Sequence, residues 1–156
     1  MASKSATVTW MRDQTFVGES GGLTILMDNP GPGRLRLGPS PMELLLMALA
    51  GCTAIDIVSV LKKKRQDLTD LKIFVQGDRA EDHPMRFTSI TVTYEAHGRN
   101  LSQAAVERAV FLSDEKYCSV SATLRERTTV NTVVRVVEAP SETTTENRAP
   151  QAGQDP

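Results

Sequence analysis

Aromatic side chains are scarce in this chain: one Trp, two Tyr and four Phe make up 4% of 156 residues. That removes most of the stacking platforms on which single-stranded nucleic acid is held. Net charge is nearly absent too. Eighteen basic residues face nineteen acidic ones, a formal charge of −1, so no overall field draws in a polyanion or an anionic bilayer. Neither nucleic acid nor a membrane is expected as a partner. The first ten residues, MASKSATVTW, lack the apolar stretch of a secretory signal. Cysteine is limited to two residues, which without an export signal are expected as reduced thiols in a cytoplasm.

Recognisable ligand and phosphate motifs are also missing. The stretch GESGG (Gly18 to Gly22) lacks the lysine that a phosphate loop carries. Cys52, Cys118, His83 and His97 are the candidates for a zinc set. No two of them stand at the C-x-x-C or H-x-x-x-H spacing that brings ligands together. Both histidines read as solvated loop residues, and no metal or cofactor is expected. No acidic pair stands in a spacing that recommends acid–base work.

What is present is a patterned α+β chain. The segments ATVTW (Ala6 to Trp10) and GGLTILMD (Gly21 to Asp28) read as strands. NPGPG (Asn29 to Gly33) reads as a turn, and RLRLG (Arg34 to Gly38) as a short third strand. Ser40, Pro41 and Glu43 form a helix-start signature, Ser40 as cap with Glu43 three residues on. The helix then runs through Leu44 to Leu61, where Asp56 is the only charge, to a basic end at Lys62 to Arg65. Eighteen such residues approach spanning length, but Gly51, Cys52, Thr53, Asp56 and Ser59 mark a buried core helix instead. A helix apolar on nearly all sides needs more cover than one sheet gives, so an obligate dimer is expected.

After a turn at DLTD (Asp67 to Asp70), Leu71, Ile73 and Val75 alternate toward a core, and Ile90, Val92, Tyr94 and Ala96 do so again. Ser102 caps a second helix from Gln103 to about Lys116, with Val106, Ala109, Val110 and Ser113 on one face. Thr128 to Val137 is a last strand. The stretch 139–156 has the polar, proline-bearing composition of a disordered tail.

The two thiols remain. From spacing alone, small buried core residues are their ordinary fate. Cys118 stands before SVSATLRE, which reads as the first turn of another helix, and N–H groups there favour a thiolate. Cys52 lies midway along the apolar helix and needs a cation from elsewhere to ionise.

GPSPMELLLMALAGCTAIDIV (Gly38 to Val58), followed by ERAVFLSDEKYCSVSATLRE (Glu107 to Glu126), resembles the OsmC/Ohr family, and within it the YhfA-like branch. The resemblance covers about Ala6 to Val137 and implies a single OsmC-like domain over 1–138. It implies a long central helix wrapped by antiparallel sheet in an intertwined homodimer. It further implies a cysteine pair that reduces organic hydroperoxides, with Cys52 peroxidatic, Cys118 resolving, and an external dithiol as reductant. Peroxidase members carry a glutamate directly after the helix-opening proline and an arginine in the early hairpin. This chain has Met42 and Phe16 there, with Glu43 one step late and Arg12 the nearest guanidinium; Arg34, Arg36 or a partner residue could supply the cation. Three functions follow: a thiol peroxidase, a binder of a small hydrophobic molecule at the dimer interface, or a redox-responsive structural dimer.

Overall fold

The computed structural model describes residues 3–139. Three short strands open the chain: β1 (Thr7–Arg12), β2 (Thr15–Ser20) and β3 (Leu23–Asp28), paired antiparallel in that order. Helix α1 (Pro41–Lys63) follows, then the long strands β4 (Asp67–Arg79) and β5 (Phe87–Arg99). Helix α2 (Gln103–Leu112), a π-helical turn (Ser113–Tyr117) and α3 (Ser119–Arg125) lead to β6 (Thr129–Glu138). The second sheet has the order β4-β5-β6. The architecture is the expected α+β one.

α1 starts where its sequence says it should. The Ser40 hydroxyl accepts from the Glu43 N–H at 3.3 Å, and the Glu43 carboxylate accepts from the Ser40 N–H at 2.8 Å, closing a capping box. Its buried positions Leu49, Thr53, Ile57 and Leu61 recur every four residues and form one stripe. That stripe shares one core with β4 and β5, and the inward residues of β5, Ile90, Val92, Tyr94 and Ala96, alternate along the strand. Val106, Ala109 and Val110 of α2 close the same core.

Within one chain α1 buries this single stripe. Met47, Ile55 and Val58 stand 56%, 70% and 42% exposed on its other side. The helix is long and apolar enough to cross a bilayer, yet one face of it packs against β4 and α2 as the central helix of the fold.

Several local features differ from the sequence reading. β2 was not expected; it is the middle strand of the first sheet, and Gly18 lies in it with Met27 and Ile25 close against its Cα. Arg34 to Gly38 is not a strand. The Leu37 N–H donates to the Asp28 carboxylate at 2.9 Å, and Arg34 pairs with that same carboxylate, so the segment is pinned by a side chain. DLTD is not a turn: β4 begins at Asp67, with a register shift between Leu68 and Asp70. His97 lies in β5 rather than in a loop, its ring 2.9 Å from Glu95. β6 runs parallel to β5, so the second sheet is mixed rather than wholly antiparallel. The expected tail lies outside the described residues apart from Ala139, whose N–H donates to the Gly98 carbonyl at 3.0 Å.

Candidate functional site

Cys52 and Cys118, sixty-six residues apart in sequence, are neighbours in the fold, and both are free thiols. Cys52 is half-buried on α1, one step round the helix from Thr53 on the core stripe. Thr53 is satisfied within its own helix, donating toward the Leu49 and Ala50 carbonyls at 3.2 and 3.0 Å.

Cys118 is delivered by the π-helical turn. Its N–H donates back five residues to the Ser113 carbonyl at 2.8 Å, the wide turn that ends α2. It then serves as N-cap of α3, its sulfur accepting from the Ser121 N–H at 3.3 Å. Only 2% of its surface is exposed. The expected helix N-terminus is therefore present, but it does not lower the pKa. Burial pushes the thiol up, the adjacent Cys52 thiol adds to the rise, and the Ser121 N–H offsets only part, leaving Cys118 at about 11.

Two carboxylates brace the Cys118 segment, one of them against α1. The Ser113 hydroxyl donates to Asp56 at 2.9 Å, linking the π turn to α1 one turn past Cys52. The Ser121 hydroxyl donates to Asp114 at 2.8 Å, and Arg125 pairs with Asp114 and with Glu115, the latter at 3.0 Å. Tyr94 of β5 sits among these groups; burial, with Asp114 and Cys118 nearby, raises its hydroxyl to about 12 despite the Thr53 contact. Asp114, Ser121, Arg125 and Tyr94 were missed in the sequence. Asp56 was visible as the lone charge in the apolar helix, and Asp114 and Arg125 flank Cys118 within DEKYCSVSATLRE.

The positions expected to activate Cys52 are placed differently. Met42 and Phe16 line two separate pockets, neither of them lined by a thiol. Glu43 pairs with Arg36, whose Nη1 donates to it at 3.0 Å, at the helix entrance. Arg34 is held by Asp28; burial would raise that carboxyl, but the Leu37 N–H, Arg34 and Thr15 outweigh it and hold it below its usual range. Arg12 lies exposed on β1. Among the described residues no three His, Cys, Asp or Glu side chains gather as a metal-binding group.

An α+β subunit with two thiols meeting between a central helix and a distal helix–turn segment defines a thiol-pair protein. The OsmC-like protein family matches residues 31–133, and the chain belongs to that family. Protein YhfA of Escherichia coli (strain K12) is 45% identical over 135 residues, 86% of this chain and 98% of YhfA. A crystal structure of a hypothetical protein from Aquifex aeolicus VF5 is 34% identical with a TM-score of 0.80, covering 90% of this chain and all (100%) of that one. An organic hydroperoxide resistance protein OsmC from Legionella pneumophila shares the fold at 21% identity and a TM-score of 0.63, over 87% of this chain and 98% of its own.

Proposed function

We propose that this protein is a cysteine-based reductase of organic hydroperoxides that acts as a homodimer. The observation that carries the reading is the meeting of Cys52 and Cys118, with Asp56–Ser113 joining their two segments and Asp114–Ser121 bracing the Cys118 segment. The name of the Legionella relative supports the substrate class. Cys52, the more exposed thiol, is the peroxidatic one. Its thiolate attacks the O–O bond of a hydroperoxide, and with one proton taken up this releases an alcohol and leaves a sulfenic acid. Cys118 then displaces water from that sulfenic acid, and a disulfide forms. An external dithiol takes the disulfide back to two thiols and is itself oxidised.

Burial makes Cys118 a poor thiolate at neutral pH but suits a resolving role, since a protonated thiol does not itself compete for peroxide. The test is turnover of an organic hydroperoxide with a dithiol reductant. Cys52→Ser should abolish activity, and Cys118→Ser should leave a single turnover that stops at the sulfenic acid. Full activity in Cys52→Ser would sink the proposal.

A further inference from the structure

A second site stands apart from the thiols. Between the N-terminal half of α1, the β4–β5 loop and the link from α3 to β6 lies a pocket of about 570 Å³. Small-molecule sites span roughly 300–1,000 Å³. The floor is apolar, made of Met42 and Leu45 from α1, Phe87 from β5 and Leu124 from α3. The rim carries three guanidinium groups, Arg79, Arg86 and Arg127, against one carboxylate, Glu126.

These arginines are steadied but not neutralised. Arg79 Nε donates to the Met85 carbonyl at 2.7 Å, and Arg86 Nη1 donates to the Arg127 carbonyl at 2.9 Å. Carbonyls fix a guanidinium's direction and leave its charge. Among the described residues none of the three forms an ion pair. Met42 completes the arrangement. A glutamate there would add a second negative charge to the pocket; the thioether leaves the rim with an excess of positive charge and the floor apolar.

We propose that this pocket binds a carboxylate-headed amphiphile, its head on the guanidinium rim and its alkyl chain on the apolar floor. A small inorganic anion would leave the floor uncovered, and a neutral apolar molecule would make no use of the three cations on the rim. Planar guanidinium groups match a carboxylate through paired, charge-assisted hydrogen bonds. The site does not depend on thiol chemistry, because a saturated ligand with no O–O bond fits it equally.

The experiment is calorimetric titration of the reduced full chain with decanoate, and with decanol as the uncharged counterpart. Decanoate binds saturably, and decanol binds about tenfold more weakly or worse, the loss of one charge-assisted interaction. Met42→Glu and Arg127→Gln each weaken decanoate about tenfold, whereas Cys52→Ser leaves it unchanged. Arg127 bonds in the fold only through its backbone, the carbonyl accepting from Arg86 and the N–H donating to the Leu124 carbonyl, so its variant keeps the test open should Met42→Glu fail to fold. No saturable decanoate binding overturns the proposal, as does decanol binding equally well or Arg127→Gln binding decanoate like the parent. Because the readout is binding of an inert ligand, it stands or falls separately from peroxide turnover.

Discussion

Below pH 9 the Cys118 thiol keeps its proton whether the chain is folded or not. Above it the folded chain holds that proton more tightly, with a pKa of about 11 against the ordinary 9.0. The folded state then binds more protons than the unfolded one, so stability is complete below pH 9 and drains as pH rises through about 11. Tyr94 repeats the pattern from 10.0 to about 12. Thermal midpoints should therefore fall across this alkaline range, and Cys118→Ser should remove the earlier part of the fall. The same shift governs chemistry. Disulfide formation after Cys52 oxidation should quicken about tenfold per pH unit below the Cys118 pKa, as the attacking thiolate grows. Rapid-mixing measurement of thiol loss would show a flat profile if Cys118 were not the attacker. Asp56→Ala frees Ser113 from α1 and should slow this second step roughly ten- to hundredfold while leaving the first, since small misplacements are costly in intramolecular reactions. The two thiols could be picked out in the sequence because their blocks resemble a known family. The partners Asp114, Ser121 and Tyr94 could not, since a polar residue's role depends on which elements meet and no periodicity reports that.

At the scale of elements, the capping box on α1 was legible because it is local, set by a three-residue spacing; the buried stripe was not, because a helix apolar on nearly all sides has no period that marks its buried face. Leu49→Ala should cost about 2–5 kcal/mol in chemical denaturation, the usual penalty for emptying a core position. The first sheet was harder to read. β2 carries Gly18 and ends in Glu19 and Ser20, a composition that looks like a loop until both its neighbours are known. RLRLG alternates like a strand, yet Leu35 is 82% exposed and the Leu37 N–H is spent on Asp28. Alternation reveals a strand only where another strand is there to pair. Gly38 follows from this pinning: a Cβ there would strike the Leu26 carbonyl oxygen. Gly38→Ala should cost about 1–3 kcal/mol, the range for overpacking, read from the denaturation midpoint.

For the whole molecule, the side of α1 opposite its buried stripe presents Met47, Gly51, Ile55 and Val58 in a line, spaced by four, four and three residues. A dimer expected from the helix's overall apolarity thus acquires a defined contact line. Sedimentation should give twice the monomer mass, and Ile55→Asp should shift the population to monomer, since a buried carboxylate without a partner is costly. A monomeric parent would refute the dimer.

β5 and β6 run side by side in the same direction, and everything between them, including Cys118, is a strap sewn at both ends into one sheet. Neighbouring strands lie only about 4.8 Å apart, so the strap's anchors cannot drift relative to each other. Between those anchors Cys118 is held by its own N–H on the Ser113 carbonyl and by the Ser121 N–H on its sulfur. In the cycle proposed above, oxidation and reduction of the pair would alternate with both ends of the strap still paired in the sheet.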